Sequence, residues 1–478
     1  MSVFRNFIDG DWILSESTVK NINPADTNDI IGEYAQADAD QVEQAIAAAN
    51  DAFTGWSRGS IQQRFDCLDA IGTEILARKA ELGELLSREE GKSLAEGVGE
   101  AARAGQIFKF FAGETLRLQG ELVASVRPGV DVEMTREAVG SIGIITPWNF
   151  PIAIPAWKIA PALAYGNTVI FKPANLVPGS AWAIAEIIAR SGLPKGVFNL
   201  IMGSGSSVGG ALLNDKRVKA ISFTGSVQTG GIVAAACSKR NAKYQLEMGG
   251  KNPLIVLADA DIDNAVNCAL NGAFFSTGQR CTASSRLIVE ASVHDAFVDA
   301  LKLAIEDLTV GDPRKDGTQI GPVIDEKQLK QNLEYVEIGK AEGATLLTGG
   351  SRLDRETPGF YQAPALFVDT HNDMRINREE VFGPVATVIK VADFDEAIAI
   401  ANDTEFGLSA GICTTSLRLA GRFKRESQAG MVMVNLPTAG VDYHVPFGGT
   451  KGSSFGSREQ GSYAREFYTT VKTAYICP

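Results

Sequence analysis

Residues 167–192 read "NTVIFKPANLVPGSAWAIAEIIARSG". The run Thr168 to Phe171 is β-branched and aromatic, breaks at Pro173, crosses a polar turn, and resumes after Pro178 as a long apolar-rich segment ending at Gly192. That order is strand, turn, helix. The scheme recurs on both sides: "SIGIITPWNFP" (141–151) is a strand into a loop, and "GVFNLIMGSGSSVGGALL" (196–213) and "VKAISFTGSVQTGGIVAAAC" (218–237) repeat it. A second series opens at "NPLIVLADADIDNAVNCAL" (252–270) and continues to about residue 446. Apolar strands alternating with helices make βαβ units and a parallel sheet, so the chain reads as α/β with two such domains.

The 478 residues exceed what one simple core organises. Before residue 117 a short strand-rich section turns helical; "DQVEQAIAAANDAF" (40–53) reads as a helix capped by Asp40, with Glu43 reaching back. Residues 118–138 alternate apolar and polar about Pro128-Gly129, a hairpin that needs a partner surface.

A formal charge of −12 disfavours a nucleic-acid partner. No apolar run reaches the roughly twenty residues of a membrane span, and "MSVFRNFIDGDWILSES" has no apolar block of a signal peptide, so a cytoplasmic protein is expected. Six scattered cysteines without a CxxC pair, with three histidines, suggest free thiols and no metal site.

Several stretches can carry chemistry. "FFSTGQRCTASSR" (274–286) sets Cys281 among small polar residues directly after Arg280, where backbone amides and a positive charge would favour a thiolate; a structural thiol is the alternative. Glu247 in "YQLEMGGKNP" is a carboxylate among apolar residues, a general base or a solvated strand-end acid. Asn149 in "PWNFP" is a neutral donor suited to an oxyanion, or a loop asparagine serving the backbone. Gly225-Ser226 would open a helix whose free amides can face a phosphate. The glycines of "GSGSSVGG" (203–210) fall one position out of the GxGxxG spacing, so a tight turn competes with a phosphate loop there.

Together these motifs resemble the NAD(P)-dependent aldehyde dehydrogenase superfamily over essentially the whole chain. They stand in family order: "PWNFP" (147–151), "FKPAN" (171–175), "FTGS" (223–226), "EMGGKNP" (247–253), "GQRC" (278–281), "EEVFGPV" (379–385), "NLPTAG" (435–440) and "PFGG" (446–449). The resemblance implies an aldehyde dehydrogenase-like fold: two Rossmann-like parallel-sheet domains plus a small β oligomerisation element. Residues 1–117 and 139–248 would form the coenzyme-binding domain, 249–462 the catalytic domain, and 118–138 with 463–478 the oligomerisation element of a homodimer or homotetramer. It also implies Cys281 as nucleophile, Asn149 as oxyanion donor and Glu247 as the base that hydrolyses a thioester, a residue that the acyl-CoA-forming branch lacks. NAD or NADP would be held by Lys172 at the adenosine ribose, Trp148 with Gly225 and Ser226 at the pyrophosphate, and Glu380 with Phe382 at the nicotinamide end. Strictly NAD-dependent relatives often carry glutamate where Asn175 stands; a neutral amide does not repel a 2′-phosphate, so NADP should be tolerated.

The arginines that succinate semialdehyde dehydrogenases use for their substrate are replaced here by Trp157 and Phe275, which suggests aromatic walls. The segments "NINPADTNDIIGEY" (21–34), "GQRCTASSR" and "GVDYHVPFGGTKGSSFGSREQG" (440–461) look like those of α-ketoglutarate semialdehyde (2,5-dioxopentanoate) dehydrogenases. On that reading Arg280 grips the substrate carboxylate and His444 lines the entrance; alternatively Arg280 serves nearby backbone carbonyls or the adjacent subunit and His444 is a plain loop residue. A broad, aromatic, succinate or glutarate semialdehyde enzyme remains a second reading, and a non-catalytic structural relative a third.

Overall fold

The computed structural model describes residues 3–478; Met1 and Ser2, which open the expected first domain and the leader reading, lie outside the described residues. Two sheets with parallel centres organise the chain. The first runs, strand by strand, Ser454–Phe455, Lys243–Glu247, Val218–Thr224, Ser141–Ile145, Thr168–Lys172, Phe198–Leu200, Asn6–Ile8, Asp11–Ile13. Its five central strands are parallel and its flanks antiparallel. The second runs Thr345–Thr348, Ala365–Val368, Val385–Val391, Ser284–Glu290, Asn252–Val256, Ser409–Cys413, Met431–Val434, parallel but for the first pair.

The apolar runs are continuous because both faces of each sheet are covered. Val169 and Phe171 join one core, while Ile170 between them joins the core on the opposite face. In the second sheet Leu254 and Val256 face one core and Ile255 the other. The stretch at 167–192 folds as its residues dictate: the strand Thr168–Lys172 is buried throughout, and the helix Pro178–Ala189 starts on proline, which lacks the amide that the first turn would leave unbonded.

The first long helix, Ala39–Ser57, is capped two residues before the expected Asp40. Asp38, in extended conformation, accepts from the Gln41 amide, and Glu43 pairs instead with Arg217. The pattern S/T/D-x-x-E was present, but Asp38 lies one residue ahead of the first helical turn and takes the cap. The hairpin forms from Glu121–Ala124 and Asp131–Ala138. The C-terminal strand Thr469–Ile476 lies antiparallel to Asp131–Ala138 of the same chain, making a three-stranded sheet whose outer strand it is. Just before it, Ala464, Phe467 and Tyr468 are buried in the core of the first sheet.

One helix matters most for the site. Leu94–Thr115 is entered through a capping box, Ser93 with Glu96. Its residues 96, 99, 100 and 103 recur at i, i+3, i+4 and i+7 and so share one face, which looks into the space between the sheets.

Candidate active site

Cys281 stands where two cavities meet. One, of about 320 Å³, is walled by Glu96, Glu100, Arg103, Phe150, Trp157 and Phe447, among others. The other, of about 250 Å³, is walled by Trp148, Asn149, Gly225, Ser226, Glu380 and Phe382, among others. Cys281 lines both.

The loop that presents it is strained and anchored. Ser276, Thr277 and Gly278 are left-handed, at φ 51°, 56° and 65°. A side chain at Gly278 would meet the Gly383 carbonyl at 2.3 Å, so only glycine fits. Ser276 Oγ donates to Glu96 Oε1 at 2.8 Å and Thr277 Oγ1 to the Gly321 carbonyl at 3.2 Å. Gln279 Oε1 accepts from the Ile324 amide at 3.0 Å, and the Cys281 carbonyl accepts from Asn252 Nδ2 at 2.8 Å. Strain held by its surroundings is a mark of functional loops.

Asn149, 3% exposed, donates one Nδ2 hydrogen to the Gln279 carbonyl at 3.0 Å. Its second hydrogen is left for whatever occupies the cavity. Its own backbone carbonyl accepts from Lys92 Nζ at 2.8 Å; Lys92 is buried with Glu100 at 2.6 Å and Glu90 at 3.7 Å. Glu100 in turn accepts from the amides of Ile152 and Ala153. Lys92 and Glu100 therefore fix the backbone on both sides of Phe150.

Glu247 ends the strand Lys243–Glu247 and is 2% exposed, so the solvated-acid alternative fails. Ser454 Oγ donates to it at 2.5 Å. Burial, then the neighbouring Glu459, push its carboxyl well above the usual range. It lies outside the walls of both cavities, but its field, with that of Glu380, reaches Cys281.

The expected thiolate is not favoured. Burial first, then the charges of Glu380 and Glu247, push the Cys281 thiol up to about 12. Arg280 does not offset this, because its Nη2 donates to Glu96 Oε1 at 2.7 Å and its Nη1 faces the Asn271 carbonyl and side chain at 3.4 Å. Arg280 also lines the first cavity, but its charge there is spent on Glu96.

In the second cavity the strand Val218–Thr224 runs into the helix Val227–Lys239, with Ser226 as cap accepting from the Thr229 amide. This is the arrangement that suits a phosphate. "GSGSSVGG" instead becomes a wide turn, Gly205–Gly209, before a helix of five residues. Glu380 accepts from the Gly250 amide at 2.9 Å and burial pushes it up to about 7. Phe382, left-handed at φ 61°, meets Trp148 edge-on with centroids 5.4 Å apart. Lys172 and Asn175 lie beyond this cavity's wall. Lys172 Nζ donates only to the Pro173 carbonyl and burial pushes it down to about 8; Asn175 is exposed, 3.5 Å from Gln36 Oε1. A carboxylate, a helix N-terminus and aromatic rings form a donor and acceptor set that fits a dinucleotide.

Trp157 does wall the first cavity and stacks on Phe447 at 5.2 Å. Phe275 does not: it packs against the core of the second sheet. His444 is exposed against Tyr443 and lines neither cavity. Both expectations came from the resemblance, and here backbone direction turns the two side chains away from the cavities. The residue missed is Arg103, which lines the first cavity from the helix Leu94–Thr115. The i+7 spacing from Glu96 was legible, but not what that helix faces.

Among the described residues, no helix is long and apolar enough to cross a membrane. Residues 12–474 match the model of the aldehyde dehydrogenase family. The chain is 44% identical to the α-ketoglutaric semialdehyde dehydrogenase of Bacillus subtilis, over 100% of this chain and 99% of that one. A betaine aldehyde dehydrogenase of Staphylococcus aureus, solved in complex with NAD+, superposes with TM-score 0.97 at 35% identity, covering 99% of this chain and 95% of that one. An E. coli enzyme described as NADP dependent superposes with TM-score 0.96 at 35% identity, covering 99% and 98%.

Proposed function

This chain belongs to the aldehyde dehydrogenase family, and we propose that it oxidises α-ketoglutarate semialdehyde (2,5-dioxopentanoate) to α-ketoglutarate. The observation that supports this most is Cys281 shared by two cavities, one aromatic-walled with a basic group and one with a dinucleotide's donor set. The 44% identity to a relative named for this substrate supports the choice of aldehyde.

Cys281 Sγ, once deprotonated, attacks the aldehyde carbon. The oxygen becomes an oxyanion beside the free Nδ2 hydrogen of Asn149 and the Cys281 amide, and the product is a thiohemiacetal. Removing one such donor costs about 10²–10³ in rate. NAD or NADP bound in the second cavity would supply hydride acceptance, which would take the carbon on Cys281 to the oxidation level of a thioester. Ser226 with Gly225 and Trp148 would hold the pyrophosphate, Glu380 the nicotinamide ribose with Phe382 beside the ring, and Lys172 the adenosine ribose with Asn175 nearby. Glu247 then takes a proton from water, the hydroxyl adds to the thioester carbon, and the carboxylate leaves as the thiol is restored. Glu247 must turn from Ser454 toward Cys281 to do so.

Residues 1–117 and 139–248 are assigned to coenzyme binding and 249–462 to catalysis. Residues 118–138 and 463–478 are assigned to assembly of a homodimer or homotetramer in the cytoplasm, with the outer edge of Thr469–Ile476 as the contact. Initial rates of reduced-nicotinamide formation with 2,5-dioxopentanoate, using NAD and NADP separately, test the reading. A kcat/KM well above that for benzaldehyde is expected; a benzaldehyde preference would overturn the substrate.

A further inference from the structure

The charges around the first cavity cancel except one. Glu96 is taken by Arg280 at 2.7 Å, and Glu100 by Lys92 at 2.6 Å and by the amides of Ile152 and Ala153. Arg103 has no carboxylate within 4.0 Å among the described residues. Its Nη2 donates to Gln460 Oε1 at 3.1 Å, and its Nε is buried without a partner. The group rests 5.6 Å from the centre of the Trp157 ring, which itself stacks on Phe447. Gln460 is fully buried, its backbone is left-handed at φ 59°, and its own Nε2 is buried without a partner.

A guanidinium fixed by a neutral amide on one side and an aromatic face on another is pre-organised, yet keeps donors unspent. Buried donors without partners are costly unless a ligand satisfies them. The remaining fields on Arg103 come from Glu100, Asp442 and Cys281; Glu100 is already paired, and none bonds it. The rest of the wall, Phe150, Ile154, Trp157 and Phe447, is apolar, which suits a short carbon chain.

We propose that Arg103, not Arg280, reads the far-end carboxylate of the aldehyde substrate, so that specificity for carboxylated aldehydes sits on the helix Leu94–Thr115. A planar fork binds a carboxylate with two parallel hydrogen bonds. A cavity whose other charges are internally paired leaves it as the one recognition charge. This inference rests on the semialdehyde reading above.

The test compares wild type, R103M, R103K and R280M of the full chain on 2,5-dioxopentanoate and on pentanal, a matched uncharged aldehyde. Methionine keeps an apolar stem against Trp157. In R103M, kcat/KM for 2,5-dioxopentanoate should fall about 30- to 100-fold, mostly in KM, against less than about fivefold for pentanal. R103K should recover part of the loss, and inhibition by glutarate should weaken in parallel. Equal losses on both aldehydes would overturn the proposal, as would selectivity lost in R280M but kept in R103M. If R103M does not fold, R103K carries the same comparison, and unchanged selectivity there overturns it. A wild type without preference for the charged aldehyde would sink the substrate reading itself, a result distinguishable from a preference that survives in R103M.

Discussion

Lys92 Nζ donates to the backbone carbonyl of Asn149 at 2.8 Å, from a site with no solvent exposure. The cation that Glu100 holds in the interior thus sets the backbone of the residue whose side chain lines the second cavity together with Cys281. Fold stability and the placing of Asn149 share one charge cluster.

Replacing that cation should be felt in both. Lys92→Met leaves Glu100 buried without its counter-charge, beside a Glu90 carboxyl that burial already pushes up to about 8, a loss of about 3–5 kcal/mol. Chemical denaturation reads the stability. Initial rates should show kcat down at least about tenfold at nearly unchanged KM, since Asn149 acts on the transition state. An unchanged kcat in folded protein would separate the cluster from catalysis.

The pH dependence of Cys281 follows from its surroundings. Burial and two carboxylates favour the neutral thiol and place it near 12 in the ligand-free protein. The thiolate fraction therefore grows with pH, and alkylation by iodoacetamide should be slow at pH 7 and keep rising beyond pH 9. A plateau by pH 7 would show a thiolate already formed. Arg280→Met should leave this profile in place, because Arg280 is bound to Glu96.

Glu247 should govern the second half of the reaction. Glu247→Gln keeps the hydrogen-bonding shape but accepts no proton. One turnover of reduced nicotinamide should appear as a burst, followed by steady turnover lowered about 10²- to 10⁴-fold. Because burial and Glu459 raise the carboxyl well above the usual range, its basic form gains as pH climbs, so wild-type deacylation should accelerate as pH rises. Loss of the burst itself would move Glu247 to the first step.

Asn175 should influence which dinucleotide binds. It is exposed beside Gln36, with no fixed negative charge of its own. Asn175→Glu puts a carboxylate where a 2′-phosphate would come, and should weaken NADP binding about tenfold or more while sparing NAD. Quenching of protein fluorescence on titration with each dinucleotide measures this without turnover. Equal effects on both would place the 2′-phosphate elsewhere.

Local chemistry made much of this protein legible from sequence. Strand runs such as Thr168–Lys172 are apolar at every position because both sheet faces are covered, and periodicity reports that directly. A left-handed glycine before Cys281 and a serine cap at Ser226 are likewise one-residue signals. The resemblance carried the order of Asn149, Glu247 and Cys281 along the chain. Its reach ended at pairings between distant segments.

Whether Arg280 is free depends on Glu96, a residue 184 positions earlier on another element. Whether Arg103 shares a cavity with Cys281 depends on which face the helix Leu94–Thr115 turns outward from the helices it packs against. Phe275 and His444 are sequence neighbours of site residues, yet backbone direction turns one into the core and the other to the surface. Sequence alone determined the elements and the reactive groups, since propensity, capping and thiol, amide or carboxyl chemistry belong to single residues and short spacings. Only the tertiary structure decided which charges are cancelled and which remain for a ligand, because electrostatic pairing and desolvation depend on distances that folding creates.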